Sequence, residues 1–387
     1  MINRHPSLEN TCTACCACYN ACPEKAISIL ADKEGFYYPL IDHDTCINCD
    51  LCHDVCPELN AIEQDESQQV QTAYYGWHKD EQVRKQSSSG GIFSALSEEI
   101  LQENGMVFGA VHDIKNQIVR HGSNEFEGLD ALRKSKYVQS FIGDSFSKVR
   151  SKIISGQKIL FVGTPCQIAG LNSFLGKEYP NLLTCDLVCH GVPPMQLLND
   201  HLLLYEEKKK SKITHVDFRP KTNGWSKYLL KLTFLNQKEY ERPGGFDAYF
   251  KAFFQNLSLR KSCFNCQYSN RQHLSDITLA DFWGFRRLDP KINDEKGLSL
   301  ILINTRKGDA YFKKLKNTFY HPVPWEIATY VFGERNDQNY NVHRRNQFFH
   351  YYCAYGWKKA IKQYRLSGST KARLKVWLKG KIKEKLS

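Results

Sequence analysis

The chain has no apolar run long enough to span a bilayer, which excludes a transmembrane helix. Its first residues, Met1-Ile-Asn-Arg-His-Pro-Ser7, lack the hydrophobic segment of a signal peptide. It also lacks a charge excess over most of its length. Net charge is +12, yet residues 357–387 hold eleven Lys/Arg and one acid, leaving 42 basic and 40 acidic groups elsewhere. A body so close to neutral has no basic face for nucleic acid. The chain is rich in cysteine, with fifteen in 387 residues. Disulfide scaffolds are short and secreted. These cysteines instead fall in metal-binding spacings, which points to a reducing cytoplasm. The length allows two or three domains, and 42% hydrophobic residues allow a sizeable core.

Two stretches repeat with an offset of 34 residues. The first is Cys12-x2-Cys15-x2-Cys18-x3-Cys22-Pro23; the second is Cys46-x2-Cys49-x2-Cys52-x3-Cys56-Pro57. Three thiolates at i, i+3 and i+6 can wrap one face of a 4Fe–4S cube, while the fourth lies past a bend and serves the other cube. The spacing therefore assigns Cys12, Cys15, Cys18 and Cys56 to one cluster, and Cys46, Cys49, Cys52 and Cys22 to a second. Structural zinc usually takes two well-separated C-x2-C pairs, not four cysteines within eleven residues. Cross-ligation implies a small module held by metal more than by a core. Cys16 is off register and reads as a spare thiol. Ala26–Leu30 and Phe36–Ile41, around the turn Asp32-Lys-Glu-Gly35, read as a hairpin covering one cluster. The second repeat has no hairpin of its own. Residues 60–71 are polar and acidic, as in a linker.

Strand-like runs and helices then alternate. Strands are expected at 73–77, 106–111, 158–163 and 182–188, and helices at 92–103, 168–175 and 195–208. This argues for an α/β domain with a largely parallel sheet. Further strands at 216–219, 228–235, 277–283 and 298–304 look antiparallel or mixed. The expected architecture is an α+β ferredoxin-like iron–sulfur module (1–66), an α/β domain with a mixed sheet (67–345) and a basic tail (346–387).

A second cysteine set lies in the α/β region. Cys166 and Cys189 each follow a strand, and Cys263-x2-Cys266 forms a local pair. Strand ends at a switch point build sites in such sheets. Four thiols from three segments suit another 4Fe–4S cluster or a zinc, although buried cysteine is often simply a small apolar residue. Cys185 is a weaker competitor, and Cys353 stands alone. Ser87-Ser-Ser-Gly-Gly91 before a helix offers close backbone approach and a helix N-terminus for a pyrophosphate, or an ordinary serine N-cap. Arg133-Lys-Ser-Lys-Tyr137 offers cations and a ring, or a solvated face.

The set Ser87–Gly91, Ser135-Lys-Tyr-Val-Gln139, Gly163-Thr-Pro-Cys-Gln-Ile-Ala-Gly170, Asp186-Leu-Val-Cys-His-Gly191, Cys263-x2-Cys266 and Ser275-Asp-Ile-Thr-Leu-Ala-Asp-Phe-Trp-Gly284 resembles the beta-subunit family of coenzyme F-420 hydrogenases and dehydrogenases. The resemblance runs from about Tyr74 to Thr305. Ala280 stands where that motif is expected to carry glycine. The resemblance implies FAD beside a third 4Fe–4S cluster. It assigns Ser88, Ser89, Gly90, Gly91, Ser135, Lys136, Tyr137, Thr164 and Gln167 to flavin contacts, and Cys166, Cys189, Cys263 and Cys266 to the cluster.

The function implied is a flavin and iron–sulfur oxidoreductase. Flavin takes two electrons from a hydride donor and releases them singly to clusters. From there they pass to a redox partner protein or ferredoxin, or run in reverse. His190 and Asp281 lie in the right segments for proton transfer, but neither stands out. The alternatives are an electron-relay subunit whose active site is on a partner, and a zinc-stabilised binding scaffold. In the tail, Tyr364, Leu366, Leu374, Val376, Trp377, Leu378, Ile382 and Leu386 lie among lysines, as in a basic helix on an anionic membrane, or a solvated tail. A peripheral place at the inner face of the membrane, with a lipid-linked substrate, follows by analogy with relatives in surface-polysaccharide assembly.

Overall fold

A computed structural model describes residues 8, 10–60, 62, 66–269, 273–329 and 341–367. The expected helix over the last lysine-rich residues, 368–387, lies outside them. Among the described residues, no helix is long and apolar enough to cross a membrane.

The strands in chain order are β1 (Ile27–Ala31), β2 (Tyr37–Ile41), β3 (Gln69–His78), β4 (Met106–Asp113), β5 (Ile118–Ser123), β6 (Ile159–Val162), β7 (Leu182–Leu187), β8 (Ile213–Asp217), β9 (Leu229–Phe234), β10 (Glu239–Pro243), β11 (Ile277–Asp281), β12 (Ser299–Thr305) and β13 (Thr318–Pro322). The large sheet has the order β13-β3-β12-β11-β7-β6-β4-β5. Its centre, β11-β7-β6-β4, is parallel. β12, β3 and β13 extend it antiparallel on one side, and β5 does so on the other. The sheet is therefore mixed. This is the mixed sheet expected from the sequence, with its parallel strands confined to the centre.

The central strands are nearly continuous apolar runs because both faces are covered. In β6, Ile159 and Phe161 face the helices Ser145–Ile154 and Pro165–Leu175, packing with Phe146, Ile168 and Leu171. Leu160 points the other way, toward helix Ile92–Gln102 and its Leu96 and Ile100. This is the two-residue period of a strand buried on both sides.

The strands β10-β9-β8 form a second, antiparallel sheet. With helices Met195–Lys209, Ala248–Phe254, Val342–Tyr355 and Trp357–Gln363, this sheet encloses a core that also takes in Phe36 and Tyr38 from the β1–β2 hairpin. The ferredoxin-like module is thus not held by metal alone. Helix Val342–Tyr355 runs through residue 346, and Phe348, Phe349, Trp357 and Leu366 are buried. The start of the basic tail is therefore a structural element.

The two cysteine loops repeat in backbone as well as in sequence. Ala14 and Cys16 take positive φ (55° and 65°), as do Asn48 and Asp50 (52° and 57°), each pair 34 positions apart. Cys16 is buried at the N-cap of helix Ala17–Ala21. The repeat's tight turn thus accounts for its place.

Candidate redox site

Cys12, Cys15, Cys18 and Cys56 line one cavity of about 100 Å³. Cys22, Cys46, Cys49 and Cys52 line a second of about 120 Å³. Cys16 and Cys52 also line the first, so Cys52 stands between the two, while Cys56 and Cys22 each reach the cavity of the other loop. The hairpin covers both cavities through Ile27 and Ile41. Burial pushes the thiols of Cys15 and Cys18 up, and Cys12 and Cys56 push Cys18 further. Burial also raises Cys52, with Cys46 and Cys22 adding to it. Metal binding must displace these protons, so loading stabilises a group that is costly as bare thiolates.

The four cysteines expected in the α/β domain lie near one another. Burial pushes the Cys166 thiol up, and Cys266, Cys189 and Cys263 each push it further, which puts all four within electrostatic reach. Burial raises Cys263 to about 12, with Cys189 and Cys266 contributing. Cys166 sits in the first turn of helix Pro165–Leu175, and its Sγ lies 3.2 Å from Thr164 Oγ1. The positive end of a helix favours a thiolate or an anionic cluster there. Cys189 follows β7 and Cys166 follows β6, so the parallel centre of the sheet delivers both to its carboxyl edge. Among the described residues, no three Cys, His, Asp or Glu side chains converge as a single ion requires. A cube spaces its ligands more widely than a lone zinc, since irons and sulfides stand between them. Each of the three groups offers the four thiols that a cube takes.

The ferredoxin-like module docks on the α/β domain beside this third group. A Cβ built on Gly170 would lie 2.6 Å from Cys15 Cβ and 2.8 Å from its Sγ. Ser173 Oγ donates to the Val55 carbonyl at 2.9 Å, and Tyr268 hydroxyl to the Pro57 carbonyl at 3.0 Å. Asn20 donates to the Gly143 carbonyl at 2.8 Å.

The residues expected to contact flavin divide into separate places. Ser135 and Lys136 line a cavity of about 330 Å³ with His112, Lys134, His215 and Asp217. Ser88 adjoins it, its Oγ accepting from Ser135 N–H at 2.8 Å. Ser89 and Gly90 turn to the edge of β12: Ser89 Oγ donates to the Leu298 carbonyl at 2.7 Å, and Gly90 N–H to Ser299 Oγ at 2.9 Å. Gly91, at φ 95°, is the N-cap of helix Ile92–Gln102. Tyr137 is enclosed by Phe218, Tyr228, Phe250 and Phe253, and its hydroxyl accepts from Arg219 at 3.1 Å. Thr164 and Gln167 form a capping box beside Cys166, and Gln167 Nε2 donates to Ser140.

Lys136 Nζ donates to the carbonyls of Ala131 and Arg133 at 2.9 and 2.6 Å. Burial, with Lys134 beside it, pulls this amine down to about 7. Burial and Lys136 pull His112 down to about 4.

His190 Nε2 lies 2.7 Å from Asn256 Oδ1. Asp281 accepts from Arg219 at 2.8 Å and from Trp225 Nε1 at 3.0 Å. Both have structural partners. Sequence reasoning missed the buried arginines 84, 219, 260 and 345, since spacing does not separate a buried arginine from a surface one. A further cavity, about 410 Å³, is walled by polar groups such as Asn172, Asp276 and Lys307 and takes none of the expected site residues.

Residues 11–60 match the 4Fe-4S dicluster domain family. Residues 73–140 and 156–322 match the N-terminal and C-terminal parts of the coenzyme F-420 hydrogenase/dehydrogenase beta subunit. No curated protein matches the chain. Among solved structures, it is similar to a chain of the F-420-reducing NiFe hydrogenase complex from Methanosarcina barkeri, at 18% identity and a TM-score of 0.49, over 72% of this chain and 93% of that one. The two beta-subunit matches together span more than half of the sequence, directly after the dicluster domain. The chain therefore belongs to the coenzyme F-420 hydrogenase/dehydrogenase beta-subunit family, an iron–sulfur oxidoreductase family, and carries its own 4Fe–4S dicluster domain.

Proposed function

We propose that this chain is an iron–sulfur flavoprotein oxidoreductase, with electrons moving between a substrate bound near Lys136 and a redox partner at the outer cysteine group. The observation that carries it is the contact of Cys15 with Gly170. Gly170 is one helical turn after Cys166, about 6 Å along the axis at 1.5 Å per residue. The third and first cysteine groups therefore flank the same turn. In this reading, Cys12, Cys15, Cys18 and Cys56 hold one cluster, Cys22, Cys46, Cys49 and Cys52 a second, and Cys166, Cys189, Cys263 and Cys266 a third. Bound flavin supplies the two-electron step and the clusters supply one-electron steps. In the 330 Å³ cavity Ser135 offers a hydroxyl and Lys134 an ammonium paired with Asp217, while the Lys136 amine is held by the Ala131 and Arg133 carbonyls at the wall. Burial pulls the Lys136 amine down to about 7, which lets Nζ exchange a proton near neutral pH. The substrate is a small molecule or a lipid-linked intermediate, and the partner a redox protein such as a ferredoxin.

The test is iron, acid-labile sulfide and released flavin per chain, on anaerobically purified protein. About twelve irons and one flavin are expected. About eight irons without flavin would leave only the dicluster domain loaded and end the flavoenzyme reading. The structural partners of His190 and Asp281 favour a second reading, a relay subunit whose chemistry is on a partner chain. That reading expects full cofactor content but no turnover of any hydride donor.

A further inference from the structure

Arg260 is buried, at 1% exposure, between the first and third cysteine groups. Its Nε donates to the Cys12 carbonyl at 2.8 Å. Its terminal nitrogens donate to the Tyr37 carbonyl at 2.7 Å and to Gln139 Oε1 at 3.0 Å. Gln139 Nε2 donates in turn to the Thr13 carbonyl at 3.0 Å. The guanidinium lies 4.2 Å over the ring of Tyr38, which lines the first cavity. On the other side, Arg260 N–H donates to the Val192 carbonyl, three residues past Cys189, at 3.0 Å, and its own carbonyl accepts from Cys263 N–H at 3.1 Å. One residue is thus bonded to the loop that begins one cysteine group and to both segments that close another. The three oxygens its guanidinium grips are all neutral, and Glu58 feels its charge at longer range.

A buried cation without a close counter-charge is expensive to maintain. Four thiolates on each side, once loaded, bring net negative charge to both neighbouring sites.

We propose that Arg260 is the shared counter-charge of the first and third cysteine groups and raises the reduction potential of both relative to the outer group. This rests on the reading that all three groups hold clusters. Each one-electron reduction adds one negative charge at its site, and a buried positive charge between two sites stabilises that addition at either. The outer group, Cys22, Cys46, Cys49 and Cys52, is bonded to Arg260 by none of these contacts and serves as the internal reference.

The experiment is a redox titration followed by electron paramagnetic resonance, with dithionite as reductant, on the intact chain and on Arg260→Gln and Arg260→Lys. In Arg260→Gln, reduction of the two inner clusters is expected to become at least tenfold less favourable, about 59 mV for a one-electron couple. The outer cluster should not move, and Arg260→Lys, which keeps the charge, should shift the inner pair less. Full iron with unmoved potentials, or one common shift of all three, would overturn the proposal. Loss of the inner irons from both variants would overturn it as well, since Arg260 would then be structural. Iron content of the unaltered chain separates the two levels. About eight irons there would defeat the underlying cluster reading; about twelve with unmoved potentials would defeat the counter-charge alone.

Discussion

At the scale of single residues, the cysteines were the most legible part of the chain. Thiol spacing is set by the geometry of a cube, so Cys12 to Cys56 could be paired across the repeat before any fold was known; the structure gathers them around two cavities, with Cys52 lining both. Lys136 was visible as one cation of Arg133-Lys-Ser-Lys-Tyr137 and through the resemblance, but its burial was not, because an amine pulled down by burial looks in sequence like any surface lysine. Its titration gives a sign. The folded value of about 7 lies below the ordinary lysine value. Between these values the unfolded chain binds more protons, so stability rises with pH from about 7 toward 10.4. Below pH 7 the full cost of burying the ammonium is felt, with Lys134 and Asp217 the nearest charges. Lys136→Met should remove this slope. Thermal midpoints at pH 7 and pH 9 should therefore show wild type gaining on the variant, and parallel changes would refute the assignment. Gly170 was not legible at all, since nothing local marks the helix face that meets Cys15. Gly170→Ala places a methyl 2.6 Å from Cys15 Cβ and 2.8 Å from its sulfur. Overpacking of this kind costs about 1–3 kcal/mol. The variant should melt earlier and lose iron from the first group, and unchanged iron and midpoint would show that the module does not seat there.

At the scale of elements, the apolar runs of β6 and β12 were easily read, since burial on both faces leaves nearly continuous Ile, Leu, Val and Phe. β10 (Glu-Tyr-Glu-Arg-Pro) and β13 (Thr-Phe-Tyr-His-Pro) escaped because both lie at sheet edges, with one neighbouring strand and little apolar patterning. The C-terminal helices escaped for a different reason. Helix Val342–Tyr355 mixes two arginines and two histidines with its aromatic residues, and Trp357–Gln363 carries three lysines, so neither shows a clean apolar stripe. Arg345 is the main anchor. It is fully buried, donates to the Leu259 carbonyl at 2.8 Å, lies 4.1 Å over Phe349 and pairs with Glu34 in the β1–β2 turn. Helix Val342–Tyr355 thereby clamps the hairpin that covers both cysteine cavities. Removing one partner of a buried pair costs about 3–5 kcal/mol. Arg345→Met should lower the unfolding midpoint and speed iron loss from the dicluster domain. Adding Glu34→Gln should recover part of the loss, because the stranded carboxylate is then neutral. A double variant no better than the single one would mean that the stacking on Phe349, and not the ion pair, is what matters.

At the scale of the whole molecule, the charge distribution opposes the net charge. The chain is +12, yet no Lys or Arg occurs between Lys33 and Lys79. That stretch holds the second cysteine loop, where Cys49 is exposed. Around it, Asp42, Asp44, Asp50 and Asp54 are exposed, and Ile47 and Leu51 remain 60% and 43% accessible. The third group is tied into the sheet and the first is covered by the module's docking face, so the second is the one open to a partner. Net charge and local charge then predict opposite behaviour for electrons leaving the reduced protein. If the whole-molecule field governed the encounter, anionic ferricyanide would be the favoured acceptor, and added salt would slow it. If electrons leave at Cys49, cationic hexaammineruthenium is favoured instead, and its rate falls as salt screens the aspartates over a Debye length of about 10 Å at 0.1 M. Stopped-flow oxidation across ionic strength distinguishes the two. The local field should win, and Asp42→Asn with Asp44→Asn and Asp50→Asn should flatten the salt dependence of the cationic acceptor without changing the iron content. A cationic acceptor indifferent to both salt and these substitutions would move the exit away from Cys49, to the side of the 330 Å³ cavity, and reverse the order in which the three cysteine groups are used.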